Sequence, residues 1–369
     1  MRQPRVAIVA ASLDIIGGQG VQAHSLVEAM RADGGRVAFV PIDPRFPRPF
    51  RWLRKYPGIR TIVNQSLYLP ALTRLAATDV VHVFSASYAS FLLAPVPAMT
   101  VGRALRKHVV LHYHSGEADD HLSNWGALVH PWLKLAHQIV VPSEYLRRVF
   151  AKHGHEAQVV PNVIDLSRFP YRERRTLAPR LLSARNLEPH YRIDVIIEAF
   201  ARIKERIPDA TLTIAGYGSL EPQLRLLVES RRLDGVRFVG KIAPANMARL
   251  YDEADIFLNA SVVDNQPVSI LEAFASGLPV ISTPTGDIES MVRHQHSGLI
   301  VPPFDPVAMA AAVGWMLDHP DRARTFARNA LQSTSRFTWD AIRPAWAEIY
   351  NRSVRPRTTG TWTPQPRMQ

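Results

Sequence analysis

Short apolar runs, each followed by a segment whose apolar positions repeat at helical spacing, recur along this chain from Val6 to Ser282. A strand that is apolar throughout must be covered on both faces, and the intervening helices supply the cover, so the alternation selects parallel sheets layered with helices. In the first half, residues 6–10 read as a strand and 17–20 as a glycine turn. Ala23, Leu26, Val27 and Met30 then form one helical face that Gly34-Gly35 ends. Further strands are expected at 37–41, 80–84, 108–112 and 138–142. In the second half, 180–184 and 211–215 read as strands separated by a helix with Ile193, Ile196, Ile197 and Phe200 on its apolar face. Strands at 236–239, 256–259 and 279–282 follow.

A chain of 369 residues, 47% of them hydrophobic, exceeds one ordinary core. The polar, arginine-rich stretch 162–178, with Pro170 inside it and Pro179 after it, reads as the connection between two domains. We therefore expect an α/β protein with a Rossmann-like domain over 1–168 and a second over 169–336. A helix over 337–353 and a disordered Pro/Thr/Arg-rich tail over 354–369 complete the chain.

The absence of cysteine excludes disulfides and thiolate metal sites and is compatible with the cytoplasm. The apolar stretch 6–16 follows two arginines as a signal peptide would, but Asp14 interrupts it and a glycine turn follows, so a buried strand is the better reading. No window is long and apolar enough to span a bilayer. Net charge is +12, and residues 1–170 hold 19 Lys and Arg against 11 Asp and Glu. Such a surplus attracts polyanions of any kind, from nucleotides to lipid surfaces. Without a recognisable nucleic-acid motif it does not indicate a nucleic-acid partner.

The segment from Asp264 to Thr283 carries the most chemistry. It reads as a loop, a helix begun by Pro267 and stopped by Gly277, and a buried strand. A proline at the first helical position leaves free backbone N–H groups, aided by the helix dipole, to meet an anion such as pyrophosphate. Glu272 lies about one turn into that helix and Asp264 in the loop before it, so two carboxylates flank the cradle. On the residues alone, a solvated aspartate and a helix glutamate stabilised by the dipole remain the alternative.

This arrangement resembles the carboxylate-x7-Glu signature of glycosyltransferase family 4, down to the run Glu272-Ala-Phe-Ala-Ser-Gly-Leu-Pro-Val-Ile281. The glycine turn near Gly17, His114-Ser115-Gly116, Pro161-Asn162, Arg185 and the run from Ser297 to Pro303 fall in family order, over about residues 4–352. The resemblance implies the GT-B fold: two Rossmann-like domains facing each other across a cleft, the first binding acceptor and the second the nucleotide sugar, with the C-terminal helix crossing back to the first. It implies a retaining hexosyl transfer from a UDP- or GDP-sugar to a glycan or lipid-linked acceptor, without cofactor or metal, as in envelope or exopolysaccharide synthesis. Glu272 would bind the donor ribose, Arg185 the pyrophosphate and Asp264 hydroxyls of the transferred sugar, with Asn265, Gln266, Pro267 and Val268 alongside. Arginine suits phosphate because its planar fork bonds bidentately and stays charged. An interdomain ion-pair arginine is the alternative.

Two departures fall on donor contacts. Most members have Glu where this chain has Asp264, and a lysine stands where this chain has His190, five residues after Arg185. Arg192 or His190 is the expected substitute for that cation. By the same resemblance Gly17 and Gly18 approach the donor phosphates, His114 the transferred sugar, and Gly216, Lys241 and Ile242 the nucleoside. On the residues alone the turn 17–20 is also a plain tight turn, and it lacks the G-x-G-x-x-G spacing of dinucleotide sites. His112 and His114 near Glu117, Asp119, Asp120 and His121 suggest zinc, but their spacing does not gather them, so no metal site is expected.

Residues 45–56 interleave arginines with Phe46, Phe50, Trp52 and Tyr56, and no acid occurs from Arg45 to Arg60. This resembles an interfacial anchor that would hold the cleft near the inner face of a membrane. A solvated loop with tucked aromatics is the alternative. A degenerate, non-catalytic sugar-nucleotide or glycan binder and a nucleotide-sugar epimerase share the expected fold. Product analysis separates them.

Overall fold

The structure, a computed structural model, describes residues 3–13 and 18–352, without the side chains of 50, 51, 53, 54 and 57. Gly17 and the tail therefore lie outside the described residues. Two six-stranded sheets, parallel throughout, make up the two layered halves. The first contains β1 (Val6–Ala10), β2 (Val37–Pro41), β3 (Val80–Ser85), β4 (His108–Tyr113), β5 (Gln138–Val141) and β6 (Gln158–Val159), in the order β2-β1-β3-β4-β5-β6. The second contains β7 (Arg180–Ala184), β8 (Thr211–Ala215), β9 (Val236–Gly240), β10 (Ile256–Asn259), β11 (Val280–Ser282) and β12 (Leu299–Ile300), in the order β12-β11-β10-β7-β8-β9.

These orders decide where a ligand can bind. The chain lays down β7, β8 and β9 in one direction, then returns to place β10 on the other side of β7, so the connections leaving β7 and β10 diverge to opposite faces of the sheet. A crevice opens between them at the carboxyl ends of the strands, the usual ligand position in open α/β sheets. Arg185 is the first residue after β7, and Asp264 stands in the loop after β10. The first sheet has the same kind of switch between β1 and β3, above which lie residue 18 and its helix.

Five helices matter to the site. α1 (Gly18–Ala32) turns Ala23, Leu26, Val27 and Met30 onto the sheet as its spacing predicts. α2 (Pro57–Ala71) lies on the outside of the first half. α3 (Ile193–Arg206) buries Ile193, Ile196, Ile197 and Phe200. α4 (Val268–Ala275) differs from expectation at its start: Pro267 is the cap, with an extended ψ of 116°, and not the first helical residue. The fixed φ of proline thus aims the chain into the helix, and Val268 and Ser269 become its first N–H groups, ahead of any intrahelical acceptor. Gly277, with φ +75°, reverses the chain after α4 into β11.

The last helix, α5 (Trp339–Asn351), returns to the first half, as the fold class requires. Ile342, Trp346, Ile349 and Tyr350 join the core formed by Val6, Ile8 and Val110. Trp346 is 2% exposed, its ring 4.8 Å from that of His82 and 5.1 Å from that of His112. The Tyr350 hydroxyl meets His82 Nδ1 at 2.8 Å, and His82 Nε2 meets His112 Nδ1 at 3.2 Å. A buried polar chain therefore runs from α5 through β3 to β4, directly beneath the cleft.

Candidate active site

The two halves meet through loops, and the loop after β10 is their joint. Its Asn265 side chain bonds Ser143 of the first half. Asn162 donates twice to Gln266, from its backbone N–H to Oε1 at 2.7 Å and from its side-chain amide to the backbone carbonyl at 3.0 Å. Gln22 of α1 forms a reciprocal pair with the neighbouring Val163, its amide donating to the Val163 carbonyl at 3.0 Å and its Oε1 accepting from the Val163 N–H at 2.9 Å. Asn265 and Gln266, expected to touch substrate, line the hollow between the halves, and their side chains also hold the halves together, as buried amides must find partners. Gly116 allows a close approach: a Cβ there would stand 2.8 Å from the carbonyl of Asp264 across the cleft.

Two connected hollows lie under this joint. The first is walled by Arg185, Gly216, Tyr217, Lys241, Ile242, Tyr251 and Glu272. The second lies between the halves and is walled by His114, Gly116, Glu117, His190, Asp264 and Pro267. Gly18, Arg185, Asn186, Tyr191 and Val268 line both. The helix N-terminus and the guanidinium therefore sit where the hollows join. Gly216, at φ +153°, lets the turn after β8 pass so close that a Cβ would collide with the Arg185 carbonyl.

Arg185 is ion-paired with Asp264, and the two side chains are 11% and 10% exposed. Its Nη1 reaches the Ser269 hydroxyl at 3.3 Å, its plane lies 4.2 Å over the ring of Tyr191, and its Nε is buried with no hydrogen-bond partner among the described residues. Glu272, half-buried, accepts a 2.7 Å bond from the hydroxyl of the fully buried Tyr251. Desolvation by the apolar wall still raises its pKa to about 7, against the stabilising hydroxyl. Tyr251 is itself held from behind: Arg174, buried in the connection between the halves, donates to the carbonyls of Tyr251 and Ser276 at 2.7 Å each.

His114 stacks on Phe84 and stands beside His112, ring centroids 4.9 and 4.1 Å away. Desolvation lowers its pKa to about 3, so it is a neutral imidazole, and its Nε2 is buried without a partner among the described residues. Of the side chains considered with it, Asp119 pairs with Lys152 and His153, Asp120 with Tyr88 and His121 with Tyr113, while Glu117 stays beside it in the wall of the second hollow. Among the described residues no three His, Asp or Glu side chains are grouped to hold a metal ion.

The two candidates for the second cation separate. His190 lines the cleft. Arg192, a non-glycine residue at φ +48°, pairs with Asp194 at 2.9 Å and lies over the ring of Phe304, and it does not line either hollow. Asp194 sits in the first turn of α3 and draws the guanidinium away. Sequence reasoning missed Tyr191 and Tyr251, because one buried tyrosine in an apolar context reads as core until its neighbours are known.

Facing Rossmann-like halves, a crevice at the second sheet's switch point and a returning terminal helix define the GT-B fold. Residues 16–168 match Glycosyltransferase Family 4 and residues 171–333 match Glycosyl transferases group 1, and the chain belongs to this glycosyltransferase family. It is 31% identical over 307 residues to glycogen synthase of Mycobacterium tuberculosis, covering 79% of this chain and 72% of the relative. It is 24% identical over 361 residues to phosphatidyl-myo-inositol mannosyltransferase of Mycobacterium leprae, covering 92% and 94%. Among solved structures, Anabaena HepE in complex with UDP-glucose superposes with a TM-score of 0.74 at 17% identity, covering 94% of this chain and 99% of that one. Sucrose-phosphate synthase from Thermosynechococcus elongatus gives 0.72 at 21%, covering 95% and 99%.

Proposed function

We propose that this glycosyltransferase moves a hexosyl group from a UDP- or GDP-sugar to a glycan or lipid-linked acceptor, with retention of configuration and without a metal ion, in envelope or exopolysaccharide synthesis. The observation that carries this is the convergence of Arg185, Asp264, Glu272 and the first turn of α4 at one switch-point crevice. The nucleoside occupies the hollow of Ile242 and Lys241, its ribose hydroxyls donate to Glu272, and the diphosphate meets Arg185 and the N–H groups of Val268 and Ser269. Asp264 and His114 take hydroxyls of the transferred sugar, and His190 faces the phosphates from the cleft. As the bond from the anomeric carbon to the phosphate oxygen breaks, charge develops on that oxygen beside Arg185, where fixed donors stabilise it most. The departing oxygen accepts the proton of an acceptor hydroxyl attacking from the same face. Donor hydrolysis without acceptor, followed by NMR before mutarotation, tests this: the first sugar released keeps the donor's anomeric configuration, and an inverted first product would overturn retention.

Glu272 makes the donor site proton-linked. Ribose hydroxyls donate to the ionised carboxylate, so binding lowers a pKa that stands near 7 in the free protein and releases a proton when the pH is below it. Affinity for an intact nucleotide sugar, whose diphosphate has no proton to lose near neutrality, is expected to rise up to about tenfold per pH unit toward pH 7 and then level off. Glu272→Gln is expected to flatten the profile. A wild-type affinity constant from pH 5.5 to 8.5 would contradict ribose binding at Glu272.

A lipid surface is the proposed setting, the enzyme staying on the cytoplasmic side. No Asp or Glu occurs between Asp43 and Asp79, and Trp52, Tyr56, Ile59 and Ile62 are exposed, Trp52 by 58% and Ile62 by 71%. Phe46 is instead buried and the Phe50 side chain lies outside the described residues, so the described part of the anchor comprises Trp52, Tyr56 and the outer face of α2. Among the described residues no helix is long and apolar enough to cross a membrane. The protein is expected to co-sediment with anionic vesicles more than with zwitterionic ones, and Trp52→Ala with Ile62→Glu to lower that binding about tenfold or more. Equal recovery with and without vesicles at low salt would remove the membrane from the account.

A further inference from the structure

In the free protein the cation assigned to the diphosphate and the carboxylate assigned to the transferred sugar are bound to each other. Arg185 Nη2 pairs with Asp264 Oδ2 in a nearly closed setting, while Asp264 Oδ1 accepts from the Asn265 backbone at 2.9 Å. The aspartate cannot retreat with its backbone. A Cβ on Gly116 would meet its carbonyl from the first half, and one on Gly286 would collide with the same carbonyl from the second. On the arginine side, Nε is buried and unpartnered and the guanidinium is backed by Tyr191. The guanidinium is therefore already in place for an anion, while its strongest present partner is the carboxylate.

We propose that the Arg185–Asp264 pair discriminates intact donor from spent nucleotide. This rests on the donor-site reading above. A free nucleoside diphosphate that engages Arg185 takes the partner of a nearly buried carboxylate and adds phosphate charge beside it, and an uncompensated charge in such a place is strongly unfavourable. An intact nucleotide sugar engages Arg185 equally but also presents hexose hydroxyls, which donate to Asp264 and replace the bond it loses. The ion pair thus weakens binding of the product selectively, favouring its release once the sugar has left, and the enzyme's preference for the sugar-bearing nucleotide originates at Asp264. The shorter reach of aspartate, compared with glutamate, keeps its carboxylate tied to the loop backbone while it holds the guanidinium.

The test is calorimetric titration of UDP, GDP, UDP-glucose and a GDP-hexose into wild type, Asp264→Asn and Arg185→Ala, with thermal unfolding as the folding control. Removing the carboxylate charge is expected to move the two ligand types in opposite directions: the free diphosphate binds about tenfold tighter and the matching nucleotide sugar about tenfold weaker. Asp264→Ser, read in the same way, serves if Asp264→Asn does not fold. Unchanged or weakened diphosphate binding in the folded variant would overturn the discriminator and leave the donor site standing. Undiminished binding of all four ligands by Arg185→Ala would overturn the donor site itself.

Discussion

Arg185→Ala is expected to lower kcat/KM by about 10³-fold, the effect of deleting a fixed donor from the place where transition-state charge appears. Two consequences of the substitution must be separated. The first is loss of the cation beside the leaving oxygen. The second is that Asp264, 10% exposed and fixed by its loop, loses the partner of its carboxylate, which lowers stability independently of catalysis. The double variant Arg185→Ala, Asp264→Asn removes the unpartnered carboxylate, so it should recover thermal stability and none of the activity. Arg185→Lys retains the charge but not the planar fork or the stacking on Tyr191, and should fall between alanine and wild type. Steady-state kinetics with thermal unfolding of all four proteins checks the set; activity returning with stability in the double variant would mean that Arg185 is structural.

Trp346→Ala is expected to destabilise the protein by about 3–5 kcal/mol, the range for deleting a fully buried large aromatic side chain. The indole is the centre of the contact by which α5 returns to the first sheet, packed on Tyr350 at 5.5 Å and on the rings of His82 and His112. The cavity would open next to the buried chain Tyr350–His82–His112, whose members were satisfied or excluded from water by that ring. The exposed pair Arg343–Asp33 at the same junction is worth little by comparison, as surface ion pairs generally are. Arg343→Ala should therefore shift the unfolding midpoint slightly where Trp346→Ala shifts it strongly. Urea unfolding followed by circular dichroism compares them, and equal shifts would contradict the packing account of α5.

Much of this architecture is legible in the sequence because periodicity is a local property. The strands at 6–10, 37–41, 180–184, 211–215 and 256–259 are found where their apolar runs stand. The edge strands β6 and β12, of two residues each, leave no pattern to read, since two residues cannot alternate. Strand order is invisible for a different reason: which strand lies beside β7 is a tertiary fact, and with it the crevice that brings Arg185 to Asp264. The connection between the halves carries the same lesson. Its arginines read as solvated polarity, yet Arg174 is buried and bonds the ends of α4 and of the segment bearing Tyr251.

At the candidate site, residue types announce chemistry but not direction. Asp264, Glu272, Arg185 and His114 all line the two hollows. Arg192 was equally eligible by charge and spacing, and only the position of Asp194 shows why its guanidinium points away. Asn265 and Gln266, polar and adjacent to Asp264, have partners on the other half that no local pattern could name.

In the reading proposed above, the second half holds a nucleoside diphosphate by its own residues, without a metal ion. Calorimetric titration of UDP and of GDP in the presence of EDTA, with wild type and with Arg185→Ala, is the decisive experiment. Wild type is expected to bind one of the two at micromolar concentration, unaffected by EDTA, and the variant to lose that binding. Binding of neither nucleotide by the folded wild type, or binding abolished by EDTA, would contradict that reading.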